Sequence, residues 1–353
     1  LLAGGICCIW NDRKPASVED ILISNAFYPV MLAFAERSWS GGGDDIKSRG
    51  VRMGLPGDPA FERFREFEAR MISLKERFLN DVPFPYLPQT GILWNISRQY
   101  PNDGNPDYSA PFENDLVTDP DKVSSADAGF RPAAGAAVYL RHTWGEKVPA
   151  FYIDPAPDRT AYACTWIYSP TDRQAGLHFS THNYGRSELD MAPPQGEWDY
   201  KRSRVWLNGE PVSPPEWNYT GVKPDHETPY TNENMWSRPP AAITLREGWN
   251  SLVIKLPVGS FSTPETRLVK WMFTAMIVTP DGSAQPDGLV WSPDKLFPGD
   301  KTRIACIGNS VTYGTGVAGR DTNAYPAVLQ RMLGGRYIAG NFGRSGATLL
   351  KKG

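Results

Sequence analysis

One stretch of the chain carries a clear helical period in its hydrophobic positions. Between residues 58 and 79, apolar side chains recur at spacings of three and four and form a single stripe, made of Ala60, Phe64, Phe67, Met71, Leu74 and Phe78. Asp58 is a residue type that caps helices, and Pro59 suits the first helical position. The pattern therefore predicts an amphipathic helix over residues 58–79.

The residues before this helix predict a strand and a second helix. Residues 5–10 (GICCIW) are a short apolar run, typical of a strand that is buried on both faces. Residues 28–39 have a helical pattern, and the glycines at 41–43 end it. Three prolines between residues 83 and 88 then interrupt the chain, so we place a domain boundary there and define a first unit of residues 1–85.

The next unit, residues 86–295, has the pattern of an all-β domain. Residues 160–168 (TAYACTWIY) are rich in β-branched and aromatic side chains, and residues 203–207 (SRVWL) lead into Asn208-Gly209, a strong type I′ hairpin signal. Alternating apolar positions mark two further strands, with Leu252, Ile254 and Leu256 on one and Val269, Trp271, Phe273 and Ile277 on the other. These patterns predict a β-sandwich of jelly-roll-like architecture.

The last unit, residues 296–353, changes period again. A buried strand is predicted at 303–307, a glycine-rich loop at 308–319, a helix at 324–333 and a second strand at 337–342. This order is typical of an α/β domain. About 50 residues cannot make a complete doubly wound core, so we expect only the beginning of such a domain.

Composition narrows the possible partners and cofactors. The 353 residues include 37 basic and 39 acidic side chains, a balance that gives no sign of a nucleic-acid or anionic-lipid partner. No run approaches the roughly 18 apolar residues of a membrane span. The four cysteines lack metal-binding spacing and are interpreted as small core residues, and His178 and His182 lie four apart in a strand context that builds no metal site. We therefore predict no metal and no cofactor.

Two motifs near the start of the chain resemble the end of a known catalytic barrel. They are Trp10-Asn11-Asp12, directly after the predicted first strand, and Ala35-Glu36-Arg37-Ser38-Trp39 in the helix that follows. In this order they resemble the end of the (β/α)8 barrel of glycoside hydrolase family 20, the β-N-acetylhexosaminidases, which carries W-x-E and A-E-R-x-W sequences. The first unit is therefore expected to contain the last strand and helices of such a barrel.

The same resemblance implies roles for Trp10 and Asp12 in sugar binding. Trp10 would form a stacking wall of the sugar pocket and Asp12 would accept hydrogen bonds from sugar hydroxyls, although the family usually has Glu at this position. Active sites of these barrels lie at the C-terminal ends of the strands, where both residues fall. The alternative is that Trp10 belongs to the core and Asp12 caps the following loop. The catalytic Asp-Glu pair of the family is expected before Leu1.

Two further motifs follow the two strands predicted in the last unit. They are 308–314 (GNSVTYG) and 341–348 (NFGRSGAT), which together resemble the first two blocks of the SGNH, or GDSL-like, hydrolases of flavodoxin-like fold. The resemblance implies that Ser310 is the nucleophile and that Gly346 donates an N–H to the oxyanion hole. A phosphate-binding loop is the first alternative. It is disfavoured because no P-loop lysine is present, and because Gly314, Gly316 and Gly319 lie well past the strand end. A purely structural turn is the second alternative.

The resemblance also implies that this chain is inactive alone. The third-block Asn and the Asp-x-x-His of SGNH hydrolases follow the second block, and we expect both to lie beyond Gly353. None of the four histidines, His142, His178, His182 and His226, matches that late position. A serine is a weak nucleophile without a base within hydrogen-bond reach.

Taken together, the motifs predict a piece of a bifunctional carbohydrate-active enzyme, a β-N-acetylhexosaminidase fused to a serine carbohydrate esterase. Its partners would be glycans that contain N-acetylhexosamine, with or without acyl groups, and its location would be secreted or periplasmic by analogy. The alternatives are a non-catalytic glycan-binding protein and a structural spacer between two enzymes. Four tryptophans near polar loops are candidates for a sugar-stacking surface, with core packing as the alternative: Trp198, Trp206, Trp217 and Trp236.

Overall fold

The computed structural model describes residues 6–8, 17–24, 26–40, 53–142, 148–181, 193–216, 239–262, 269, 271–300, 302–333 and 337–348. Its α-helices are α1 (Val18–Ser24), α2 (Phe27–Ser40), α3 (Pro59–Phe78), α4 (Glu113–Thr118), α5 (Ser125–Ala128), α6 (Ser310–Tyr313), α7 (Arg320–Asn323) and α8 (Tyr325–Leu333). Short 3-10 helices span Pro120–Lys122 and Pro298–Asp300. The predicted helices at 28–39, 58–79 and 324–333 correspond to α2, α3 and α8, whereas α1 was not predicted.

The strands build three sheets within the described residues. The strands are β1 (Leu93–Ile96), β2 (Tyr100–Pro101), β3 (Arg131–Ala134), β4 (Ala137–Arg141), β5 (Arg159–Ser169), β6 (Arg173–Ser180), β7 (Arg204–Leu207), β8 (Glu210–Pro211), β9 (Ala241–Leu245), β10 (Gly248–Val258), β11 (Trp271–Val278), β12 (Val290–Ser292), β13 (Thr302–Gly308) and β14 (Tyr337–Gly343). The first sheet has the order β3-β1-β5-β10-β7-β8, and the second has the order β4-β11-β6-β9. Both are antiparallel, whereas β13 and β14 form a parallel pair. The prediction of a β-rich protein with several sheets is confirmed.

The long strand β5 organises the first sheet. One of its edges pairs with β10 over the full length of both strands, from Gly248↔Ser169 to Val258↔Arg159. Its other edge is shared by three short strands, β2, β1 and β12, which follow one another along it. This arrangement leaves β5 and β10 in the centre of the sheet.

The two antiparallel sheets pack face to face around one hydrophobic core. Trp94 of the first sheet meets Phe273 of the second edge to face, with ring centroids 5.1 Å apart. The indole of Trp94 donates to the carbonyl of Gly135, and that of Trp271 donates to the carbonyl of Leu256, so both buried N–H groups are satisfied. Val269, Trp271, Phe273 and Ile277 all lie in this core, but so do Met276 and Val278, so the expectation that the four share one strand face stays a prediction.

The outer face of the first sheet is also covered. The segment from Tyr100 to Ala128 crosses it and packs a second apolar cluster against Tyr162, Cys164 and Val253. As a result β5 and β10 are buried on both faces, which is unusual for an antiparallel strand. This cover explains why Lys255, on the outer face of β10, is only 2% exposed.

The predicted type I′ hairpin between β7 and β8 is present. Asn208 has a φ of 54° and Gly209 a φ of 84°, which are the two positive values that this turn requires. Leu207 pairs with Glu210 across the turn. The local sequence therefore determines this turn, as expected.

The helix α3 buries only part of the predicted stripe, and it also buries residues outside that stripe. Phe61, Glu68 and Met71 are buried, whereas Phe78 is 71% exposed. The carboxylate of Glu68 accepts hydrogen bonds from the Tyr86 hydroxyl at 2.6 Å, from two backbone N–H groups at 2.7 and 3.2 Å, and from the Thr90 hydroxyl at 2.5 Å. A buried carboxylate thus fixes the helix to the segment that precedes β1, and only part of the stripe packs.

The interpretation of the cysteines is correct for two of them. Cys164 and Cys306 are buried, but Cys7 and Cys8 are exposed, so the prediction that all four are core residues is wrong. Residues 6–8, the described part of the strand predicted at 5–10, are not a strand. Apolar composition alone therefore gave a wrong prediction for these three residues.

Two of the tryptophans proposed for sugar stacking can be located. Trp198 is buried in the sandwich core with its indole N–H donated to Val212, and Trp206 packs half-buried against the outer cluster. For these two residues the core-packing alternative describes the structure better. Trp217 and Trp236 lie outside the described residues.

Candidate functional site

The strands β13 and β14 bring the two predicted SGNH blocks to one edge. The strands are parallel and in register from Thr302↔Tyr337 to Gly308↔Gly343, so their C-terminal ends lie side by side. Ser310 follows the end of β13 by two residues, and Gly346 follows the end of β14 by three. The pairing therefore places both predicted site residues on loops at the same edge of the sheet.

Ser310 begins the short helix α6. Asn309 caps this helix, because its side chain accepts a hydrogen bond from the N–H of Val311 at 3.1 Å. Ser310 itself is half-buried. The first N–H groups of a helix have no partner within the helix, and the N–H of Ser310 is one of these groups in α6. Gly314, with a φ of 85°, ends the helix after one turn.

Gly346 lies at the tip of a β-turn after β14. The N–H of Ala347 donates to the carbonyl of Arg344 at 3.0 Å, and Gly346 has a φ of 78°. A positive φ at the third residue is the mark of a type II turn, for which glycine is the preferred residue. Gly346 is exposed, and the preceding residue, Ser345, contacts Thr315 of the loop that carries Ser310.

The two loops are in close contact. The N–H of Arg344 donates to the carbonyl of Gly308 at 3.0 Å, which continues the pairing of the strands by one step. A Cβ on Gly343 would lie only 2.2 Å from the backbone nitrogen of Tyr313, so only glycine allows α6 to approach β14 this closely. The Asn341 side chain adds a 3.5 Å hydrogen bond to the carbonyl of Tyr313. The second predicted motif, residues 341–348, contains both Asn341 and Gly343, but the sequence analysis gave a role only to Gly346.

The exposed character of β13 differs from the prediction. Cys306 is buried, but Ile307 is 73% exposed, so the expectation of a buried strand at 303–307 is wrong for most of its length. Parallel strands are normally covered on both faces. Phe342 on β14 is exposed as well, which leaves apolar surface beside the candidate site.

The structure brings no described histidine to Ser310. His178 is buried on β6 in the second sheet, and His142 follows β4. Burial and the neighbouring Arg141 both lower the pKa of His142. His182, His226, Trp10 and Asp12 all lie outside the described residues, so the predicted sugar contacts of Trp10 and Asp12 have no structural description.

A large cleft lies away from the candidate site. A cleft of about 1860 Å³ lies between the first sheet, α3 and the pair β13–β14, and its lining includes Trp166, Arg131 and Tyr337 but neither Ser310 nor Gly346. Among the described residues, no group of three or more His, Cys, Asp and Glu side chains could hold a metal ion. No helix in the described part of the chain is long and apolar enough to cross a membrane.

Comparison with known proteins gives one partial relative. A segment of 54 residues is 52% identical to an acetylxylan esterase of Xylanibacter ruminicola. The match covers 15% of this chain and 11% of the length of that esterase. No family model matches the chain.

Proposed function

We propose that this chain carries the nucleophile and one oxyanion-hole donor of a serine carbohydrate esterase of the SGNH type. The observation that supports this most is the parallel pairing of β13 and β14, because the loops that contain Ser310 and Gly346 both leave the same edge of this pair. The partial relative, named an acetylxylan esterase, supports an acetyl ester on a polysaccharide hydroxyl as the substrate class.

The proposed chemistry is acyl transfer in two steps. The Ser310 hydroxyl attacks the acetyl carbonyl while a base takes its proton, and the N–H groups of Ser310 and Gly346 stabilise the tetrahedral oxyanion. Collapse of this intermediate returns the proton to the sugar oxygen, frees the sugar hydroxyl and leaves acetyl-serine. Water then releases acetate and regenerates the serine. By the resemblance, the base is the histidine of an Asp-x-x-His sequence later in the SGNH pattern.

The glycosidase half stays a prediction. It depends on Trp10, Asp12 and the sequence at 35–39, and the first two of these lie outside the described residues. The fusion of a β-N-acetylhexosaminidase with an esterase therefore depends on the motifs alone, as does a secreted or periplasmic location. Acyl groups obstruct the sugar pockets of glycosidases, which gives the fusion a chemical rationale.

The test is acetate release from acetylated xylo-oligosaccharides by the natural protein that contains this chain. We expect turnover that Ser310→Ala abolishes, while Ser260→Ala, at an exposed serine of the sandwich, leaves it unchanged. Equal activity of the Ser310→Ala variant would contradict the proposal. With p-nitrophenyl acetate, the 353-residue chain alone is expected to show no turnover that depends on Ser310.

A further inference from the structure

The side chain of Thr315 connects the two loops of the candidate site. Its backbone N–H donates to the carbonyl of Ser310 at 2.9 Å, so Thr315 is held directly against the proposed nucleophile. Its hydroxyl donates to the hydroxyl of Ser345 at 3.4 Å, and Ser345 immediately precedes Gly346. Among the described residues, this is the one side-chain hydrogen bond that runs from the Ser310 loop to the turn at 344–347.

The peptide bond that joins Ser345 to Gly346 decides where the Gly346 N–H points. It is the central peptide of the turn, and type I and type II turns differ by a flip of this planar unit. Glycine populates positive and negative φ about equally, so Gly346 does not itself prevent the flip. A flip would turn the N–H of Gly346 away from the side on which it now lies.

The backbone contacts between the loops do not hold this peptide. The hydrogen bond from Arg344 to Gly308 lies before the turn, and the close approach of Gly343 to Tyr313 lies one residue earlier still. Both fix how far apart the loops are. Neither fixes the orientation of the peptide unit between Ser345 and Gly346.

We propose that Thr315 is a positioning residue that keeps the Gly346 turn in its type II form and so aims the oxyanion-hole N–H. This role extends the proposed esterase function and depends on it for its catalytic meaning. Thr315 acts through Ser345 and does not touch the substrate. The proposed role requires the hydroxyl group of Thr315 but not its methyl group.

The first test monitors the conformation of the 344–347 turn by NMR in the 353-residue chain. The sequence contains two Ser-Gly dipeptides, at 40–41 and 345–346, so cell-free labelling with ¹³C-carbonyl serine and ¹⁵N-glycine gives two peptide signals by NMR. We expect Thr315→Val to shift or split the 345–346 signal, Thr315→Ser to preserve it, and the 40–41 signal to stay constant. Thr322→Val, which removes a hydroxyl bonded to Gly319 at 2.9 Å, is the matched control. An unmoved 345–346 signal in Thr315→Val overturns the proposal.

The second test measures kcat and KM for acetate release by the natural protein that contains this chain. Misplacing a catalytic group by about 1 Å can cost roughly 100-fold in rate, so we expect Thr315→Val to lower kcat by about that factor with little change in KM. Thr315→Ser should restore most of the rate. A moved NMR signal with unchanged kcat overturns the catalytic role. A wild-type protein that releases no acetate overturns the proposed function instead, and the NMR result still decides whether Thr315 holds the turn.

Discussion

The buried ion pair between Lys255 and Glu113 gives the sharpest stability prediction. Lys255 is 2% exposed, its ammonium lies 2.8 Å from the Glu113 carboxylate, and Glu113 is 16% exposed at the side chain. The Tyr162 hydroxyl donates to the same carboxylate at 2.5 Å, and Ser109 donates to its other oxygen at 2.9 Å. This network fixes the segment that covers the outer face of the first sheet.

The free energy of unfolding that is lost when the Lys255–Glu113 pair is broken depends on which of the two residues remains. Glu113→Ala leaves the ammonium of Lys255 buried without its counter-charge, and losing one partner of a buried pair costs about 3–5 kcal/mol. Lys255→Met leaves a carboxylate that is nearer to solvent and still bonded to Tyr162 and Ser109, so we expect a smaller loss. Replacing both residues by apolar ones of similar size, Lys255→Met with Glu113→Leu, should be close to neutral.

The stabilities of the wild type and these three variants can be compared by urea unfolding. Far-ultraviolet circular dichroism of the sandwich strands reports the unfolding. The expected order of unfolding midpoints places Glu113→Ala lowest, Lys255→Met above it, and the double variant near the wild type. Asp115 lies on the same helix as Glu113 and its side chain is exposed, so Asp115→Ala is the matched control and should leave the midpoint almost unchanged. If Lys255→Met unfolds at a lower urea concentration than Glu113→Ala, the reasoning from relative burial is refuted.

Four further predictions rest on the described residues. Glu68→Ala should cost about 3 kcal/mol in urea unfolding by leaving buried donors unpaired, while exposed Glu66→Ala should cost almost nothing. Burial raises the pKa of Cys164 to about 12, so at pH 8 iodoacetamide with peptide mapping should label Cys7 and not Cys164. Because the thiol of Cys164 ionises first in the unfolded chain, its contribution to stability is complete below about pH 9 and should decline as the pH rises towards 12. Gly209→Ala should lower the free energy of unfolding in urea by about 1 kcal/mol, because φ is 84° there.

Features that depend on neighbouring residues were predictable from the sequence. Asn208 and Gly209 specify their turn because its φ values are set within two residues. The same holds for the placement of Ser310 and Gly346, since each follows its own strand and parallel strands end at one edge. In both cases the position of the residue is determined by the backbone geometry of a few neighbouring residues.

Features that depend on distant partners were not predictable. The stripe on α3 identified an amphipathic helix, but the buried face also contains Glu68, because hydroxyl and backbone donors at 86–90 satisfy its carboxylate. Phe78 stays exposed because no described residue covers it. The sequence does not distinguish a sugar-stacking role for Trp198 from core packing, because the ring that covers it, Phe179 of the second sheet, is distant in the chain.

The same distinction explains the composition of the candidate site. The proposed oxyanion hole consists of backbone N–H groups, so a glycine-rich turn and a helix start would specify it within a few residues of each strand end. A general base is a side chain that must reach Ser310 through the tertiary fold, and no short motif around the serine specifies it. The motifs around Ser310 and Gly346 therefore predict where the proposed esterase would stabilise an ester carbonyl, whereas they do not identify its general base.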